Sequence, residues 1–335
     1  MMTRNFNQFV LSASRRLALP ISVYPGMALT GATVPGLVND AQTQFETQAA
    51  LHARYQTPCV LSAMDLSVEA EAFGCTVHLS ETEVPCVTGR LVSDRAQAER
   101  LPVPAAGDGR TGVYLETVRR LTQLPRRPLV LGGCIGPFSL AARLVGVSEA
   151  MELTVTDPDL MQVLLEKSAR FLAAYAQAFQ AAGADALIMA EPAAGLLSPR
   201  SLAQFSSAYV RQLVAEMGPG PFTVILHNCA AKVLHLPAIL ESGLKTFHFG
   251  APMDLPVALG KVPADVVLCG NLDPSAVFCQ ATAEEAAART TCLLNATTAQ
   301  RNFVISSGCD LPPNSRLANL DAFYAAVNAA PATAP

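Results

Sequence analysis

Residues 224–232 read VILHNCAAK, placing His227 and Cys229 two positions apart where a run of apolar β-formers ends. Imidazole nitrogen and thiolate sulfur are the ligands zinc prefers. In a chain with five histidines and nine cysteines such a pair arises readily by accident. Position therefore has to decide. Cys309 stands at the corresponding place in NFVISSGCD (302–310), where another apolar run gives way to a loop. Three nitrogen and sulfur ligands meeting at one point would leave a fourth zinc position open, as catalytic rather than structural sites do. Three buried bystanders are the alternative, and spacing alone leaves both open.

The elements around these residues predict an α/β chain. From about residue 129, short apolar strands alternate with amphipathic helices: strands at 128–137, 184–192, 222–228, 245–250, 265–274 and 302–310, and an earlier one at 59–65. The helix expected over 156–183 has Asp157 to cap it, Pro158 in its first position and Gly183 to stop it. Ser198 and Gly218 bracket the next, 282–297 reads as another, and a last helix runs from about 315 to 329. Connections this short imply a parallel sheet, and about eight strands over this length close best as a single TIM (β/α)8 barrel. The expected organisation is one domain over 1–335, with an N-terminal elaboration at about 1–58 and the barrel at 59–330. The segment 74–87 reads as an excursion from the barrel, 101–110 as a loose loop, and 330–335 as a frayed tail.

A TIM barrel carries its active site at the carboxyl ends of its strands. Those ends supply Asp65, Cys134, Glu191, His227, Cys229, His248, Asn271, Asp273, Cys309 and Asp310, while strand interiors are Val, Ile, Leu and Ala. The bulk composition fits a soluble catalyst. Half of the 335 residues are hydrophobic (51%), 15% are charged, the net charge is -4 and no Lys/Arg run occurs, so nucleic-acid and anionic-membrane partners are not expected. No signal peptide or uninterrupted apolar span is legible, and nine scattered cysteines suit reduced thiols in the cytoplasm. Cys59, Cys75, Cys86, Cys279 and Cys292 read as packing residues, and Cys134 and Cys269 as structural thiols. GCIGPFSLA (133–141) lacks the Gly-Lys-Ser/Thr ending of a phosphate loop, so no nucleotide site is read there.

HNC (227–229) together with SSGCDLPP (306–313) resembles the His-x-Cys…Cys zinc pattern of the methylcobamide:coenzyme M methyltransferases, a branch of the uroporphyrinogen decarboxylase superfamily. MDLSVEAEAFGCTV (64–77), GPFSLAARLVG (136–146), EPAAGLLSP (191–199) and CGNLDPSAV (269–277) are similar to further family segments in the same order. The resemblance runs from about residue 20 to 328. It implies zinc held by His227, Cys229 and Cys309, a methylcobamide (cobalamin-type corrinoid) methyl donor carried on a transiently docking corrinoid protein, and a small thiol such as coenzyme M as acceptor. Zinc would favour the thiolate, the nucleophilic form of the acceptor. Attack on the methyl group of methyl-cobalt(III) would then give a thioether and cobalt(I).

By the same resemblance Asp65 matches the decarboxylases' catalytic aspartate and would orient the substrate or a ligand histidine, the alternative being a helix cap. Glu191 is a candidate base, and Asn271 and Asp273 are candidate substrate contacts or turn formers. The sequence departs from the family at HFGAPMD (248–254): Gly250 and Ala251 stand where several relatives carry an acid, so water, His248 or Asp254 would complete the zinc. The decarboxylases' Arg-Gln-Ala-Gly-Arg signature is absent, with SVYPGMALTGATVPG (22–36) in its place. The competing readings are a methylcorrinoid-to-tetrahydrofolate methyltransferase, a uroporphyrinogen decarboxylase, and a non-catalytic corrinoid-binding barrel with structural zinc.

Overall fold

The computed structural model describes residues 4–331. Strand propensity and pattern place β1 at Cys59–Leu61, β2 at Thr76–His78, β3 at Cys86–Thr88, β4 at Leu129–Ile135, β5 at Ala186–Ala190, β6 at Thr223–Asn228, β7 at Thr246–Phe249, β8 at Val267–Leu272 and β9 at Phe303–Ser307. Seven of them form one sheet in the order β1-β4-β5-β6-β7-β8-β9, and every neighbouring pair is parallel. β4, β5, β7 and β9 are buried along their whole length, as strands covered on both faces must be.

The eighth stave is the least regular. Ala18 bridges Ile305 in parallel, with Leu19 N–H donating to the Ile305 carbonyl (2.9 Å) and Ile305 N–H to the Leu17 carbonyl (3.1 Å). Residues 17–19 therefore lie along the free edge of β9, and the stretch read as an elaboration contributes to the barrel wall. No hydrophobic alternation announces so short a stave, with Pro20 cutting it off.

The helices follow their sequence signals. Helix Pro158–Ala181 is capped by Asp157, which accepts from Leu160 N–H (3.1 Å), and it buries Leu160, Met161, Leu164, Leu165, Phe171, Leu172, Tyr175 and Phe179. Helix Ala283–Ala296 opens with a reciprocal Thr282–Glu285 capping box. The helix expected from Ser198 is interrupted: Pro199–Leu202 and Ala208–Met217 flank a wider turn at Ala203–Ser207. β2 and β3 pair antiparallel, outside the barrel, as the different alternation of 74–87 implied. The end of the expected tail, 332–335, lies outside the described residues. Among those described, no helix is long and apolar enough to cross a membrane.

The cysteines divide differently from expectation in two cases. Cys59, Cys75, Cys134 and Cys269 are buried, whereas Cys86 and Cys292 are exposed. Cys86 is on the hairpin excursion and Cys292 on the outer face of a barrel helix.

Candidate metal centre at the barrel mouth

β6 ends at Asn228 and β9 at Ser307, and the turns after them carry Cys229 and Cys309 toward the same point. One ligand atom each from His227, Cys229 and Cys309 lies within 4.8 Å of the others. Among the described residues this is the sole His, Cys, Asp and Glu cluster with metal-ligand spacing. Asn228 shapes the turn: its Oδ1 accepts from Ala230 N–H (3.2 Å) and Ala231 N–H (3.0 Å), bending the chain so that Cys229 faces back over the strand.

The hydrogen bonds behind His227 fix its tautomer. Ser306 Oγ donates to the Leu19 carbonyl, which can only accept, and therefore accepts from His248 Nε2–H (2.7 Å). His248 Nδ1 then carries a lone pair and accepts from His227 Nδ1–H (2.8 Å). His227 Nε2 is left with its lone pair exposed to the cluster. That atom is buried and has no hydrogen-bond partner. Buried polar atoms are rarely left so, and a metal ligand awaiting its ion is a direct explanation. Burial holds His248 well below its usual pKa, consistent with a neutral ring in the relay.

The thiols fit the same purpose. The neighbouring Cys309 thiol, hydrogen-bonded to it, pulls Cys229 down to about 4 despite its burial. Thiolate is the form that binds metal. The donor set, one imidazole nitrogen with a free lone pair and two thiols sharing a proton, thus fits zinc.

The other expected residues occupy different places. His248 stands behind His227 rather than beside the thiols, with both ring nitrogens engaged by His227 and Ser306. Asp254 accepts from Val257 N–H (3.1 Å) and caps a short helix. Gly250 is required by close approach: a Cβ there would sit 2.1 Å from the Cys229 carbonyl oxygen, so no acidic side chain could replace it without moving the Cys229 turn.

Asp65 lies in a separate buried network. It accepts from Ser67 N–H (3.0 Å), Ser67 Oγ (2.6 Å) and Tyr114 Oη (3.3 Å), and it pairs with Arg110. Arg110 also reaches Glu71 and Ser67 Oγ (2.9 Å). Glu191 is fully engaged at the start of helix Pro137–Val145, accepting from Phe138 N–H (2.9 Å), Ser139 N–H (2.8 Å), Ser139 Oγ (2.6 Å) and Ser206 Oγ (3.1 Å). Gly136 makes room for it, since a Cβ there would lie 2.3 Å from Glu191 Cγ. Asn271 donates to the Gly250 (3.0 Å) and Met253 (2.6 Å) carbonyls, and Asp273 accepts from Ser275 N–H (2.9 Å) and Ala276 N–H (2.7 Å). Neither Asn271 nor Asp273 lines the cavity at the cluster. Two residues that sequence reasoning did not single out belong here: Ser306, visible only as the SS before Gly308-Cys309, and Leu19, whose carbonyl role left no signal.

Residues 22–330 match the uroporphyrinogen decarboxylase (URO-D) family. The chain belongs to that family. Among its curated relatives is the methylcobamide:CoM methyltransferase MtbA of Methanosarcina mazei, 28% identical over 298 residues, covering 88% of this chain and 86% of the relative. The methylated-thiol–coenzyme M methyltransferase of the same organism is 27% identical, covering 91% and 82%. A uroporphyrinogen decarboxylase of Desulfotalea psychrophila is 30% identical over 64% of this chain and 63% of its own length. In three dimensions a methyltransferase from Methanosarcina mazei superposes with a TM-score of 0.86 at 22% identity, over 98% of this chain and 99% of that one, and so shares the fold. A B12-independent methionine synthase from Shewanella sp. W3-18-1 shares it more distantly, with a TM-score of 0.58 at 13% identity over 94% and 96% of the two chains. Relatives and neighbours with different named activities thus accompany this one fold.

Proposed function

We propose that this protein transfers a methyl group from a methylcorrinoid to a small thiol, with zinc held by His227, Cys229 and Cys309. The observation that carries the reading is the buried, unpartnered lone pair of His227 Nε2 beside two thiols at the barrel mouth. Support comes from the curated methylcobamide:CoM methyltransferase relatives, which cover most of the chain.

A zinc ion bound there would lower the pKa of an acceptor thiol, supplying thiolate at neutral pH. The chain's own residues do the rest. His248 and Ser306 hold the His227 ring with Nε2 forward. Cys229 and Cys309 put two sulfurs on the same spot, and the electron density they donate keeps the acceptor's sulfur nucleophilic. Ile21, Met64, Leu66, Ala190 and Pro192 line the adjoining cavity and limit water there. In the transfer the acceptor's sulfur lone pair forms the sulfur–carbon bond. The cobalt–carbon pair stays on the donor, which passes from cobalt(III) to cobalt(I), and the thiol proton goes to solvent.

The cavity measures about 50 Å³, room for on the order of four water-sized groups. A corrin ring cannot enter it. The donor therefore presents its methyl group from outside, and a corrinoid protein docking over the mouth suits that approach.

The test is metal content of the purified protein and of Cys309→Ser, with methylcobalamin demethylation by a thiol followed spectroscopically. About one zinc per chain, absent from the variant, with thioether formed only by the wild type, is the expected result. Zinc-free, freshly purified wild type with its fold intact would overturn the reading.

A further inference from the structure

The cavity that the three cluster residues share is walled by Ile21, Met64, Leu66, Ala190, Pro192 and Asp310. Its apolar members differ in how far they can yield. Ala190 offers only a methyl, Pro192 is a closed ring, and branching at Cβ makes Ile21 stiff. Ile21 is also pinned by its backbone, its N–H donating to Ser307 Oγ (3.0 Å) and its carbonyl accepting from Leu311 N–H (2.9 Å). Leu66 is half-buried. Among the described residues that line the cavity, Met64 alone is long, unbranched and buried.

A glycine prepares the place where Met64 rests. Gly132 and Gly133 are consecutive on β4, so they face opposite sides of the sheet. A Cβ on Gly132 would meet Phe179, 2.6 Å away on helix Pro158–Ala181, which makes its side the outer one. Gly133 therefore faces the barrel interior. It pairs with Ile188, two residues before Ala190, and so lies one layer deeper than the cavity wall. A Cβ on Gly133 would overlap Met64 Sδ and come within 3.3 Å of the Ala63 carbonyl oxygen. The thioether thus occupies the volume that a side chain at 133 would take, and Met64 bounds the cavity on its deep side.

Granted the thiol methylation proposed above, on which this rests, we infer that Met64 is the specificity-determining residue of the acceptor site, limiting the acceptor to a thiol with little bulk beside its sulfur. An acceptor whose sulfur reaches the cluster must put the adjoining carbons in a cavity of about 50 Å³. Bulk carried directly on the sulfur-bearing carbon presses on the wall, whereas a chain can run out through the mouth. Met64 controls that wall in both directions. Met64→Ala removes the thioether and joins the space over Gly133 to the cavity. Gly133→Ala does the opposite. The backbone at Gly133 is not left-handed, so alanine fits it. The Ala63 carbonyl is fixed backbone, so the flexible thioether must give way, toward the cavity it lines.

The probes are ethanethiol, 2-propanethiol and cyclohexanethiol, in which bulk at the sulfur-bearing carbon increases. Each is titrated calorimetrically into zinc-loaded protein and then offered with methylcobalamin, the thioether being read by mass spectrometry. Affinity ratios are compared between proteins, so the intrinsic zinc affinity of each thiol cancels and a general loss of stability does not move them. Met64→Ala is expected to raise cyclohexanethiol affinity relative to ethanethiol by about tenfold or more, and Gly133→Ala to lower 2-propanethiol affinity relative to ethanethiol severalfold. Either variant, folded and zinc-loaded with wild-type ratios, overturns the role of Met64 while thiol methylation stands. Gly133→Ala carries the test if Met64→Ala does not fold. Zinc-loaded wild type that neither binds nor methylates any of the three thiols overturns both.

Discussion

Two buried polar clusters share the mouth of this barrel, and they are built to opposite ends. Around Asp65, both carboxylate oxygens have partners: Ser67 twice, Tyr114 and Arg110, with Arg110 tied to Glu71 as well. Around His227 the bonds run in a single line through His248 and Ser306 to the Leu19 carbonyl, and they stop one atom short, at Nε2. Both clusters are shielded from solvent and both sit at strand ends. The difference is satisfaction. A saturated network fixes the backbone, and a network with one orphaned lone pair is prepared for a ligand.

Substitutions in the two clusters should therefore fail in different ways. The largest effect expected is on metal: His227→Ala or Cys309→Ser should take zinc from about one per chain to none, with a melting temperature close to that of metal-free wild type. Atomic absorption and thermal melts of both forms check this. Retained zinc in His227→Ala would break the contrast at its centre. Arg110→Ala should do the reverse. Removing one partner of a buried ion pair costs about 3–5 kcal/mol, so the variant should lose that much in denaturant unfolding while its folded fraction binds zinc with unchanged affinity. A loss of zinc affinity in folded Arg110→Ala would mean that the Asp65 cluster also serves the metal.

A smaller effect sharpens the picture within the His227 line. His248→Ala leaves His227 Nδ1–H without its acceptor, so the ring loses its fixed tautomer and orientation. Weakening of zinc by about 10–100-fold is expected, against little change on replacing Asn271, which bonds only to the Gly250 and Met253 carbonyls. Competition with a chromophoric chelator measures both, and equal losses would remove the relay from the account.

The clusters were unequally legible in the sequence. His227, Cys229 and Cys309 stand out because soft ligands at strand ends have few structural uses, and the parallel barrel follows from strand–helix alternation alone. The roles of Asp65, Glu191 and Asp273 did not. A carboxylate at a strand end is as good a helix cap as a catalyst, and only its partners tell which: Glu191 spends both oxygens on the turn at Phe138 and Ser139. His248 was visible as a histidine but not as a support, since its function depends on lying across from His227 in the β6–β7 register and within reach of Ser306 on β9. The stave at 17–19 was invisible because two backbone hydrogen bonds, not side-chain pattern, hold it to β9.

Glu69, four residues after Asp65 and on the helix Val68–Phe73, shows the same contrast through pH. Glu69 is buried, its Oε1 accepts from Ile135 N–H (3.0 Å), and its Oε2 is buried without a partner. Asp65 is neutralised by a guanidinium, whereas Glu69 has no cation bonded to it. Burial therefore pushes Glu69 up to about 8 from an ordinary 4.5, and a proton does what Arg110 does for Asp65. The folded state thus holds one more proton than the unfolded chain between those two values. Its contribution to stability is complete below about pH 4.5 and is lost as pH rises through about 8. Glu69→Gln keeps the acceptor for Ile135 and removes the titration, so its advantage over wild type should grow steadily from pH 5 to pH 8, by about 1.4 kcal/mol per unit at the steepest. Denaturant unfolding of the two proteins across that window is the check. Parallel pH profiles would mean that Glu69 is ionised in the folded protein and has found a partner for Oε2.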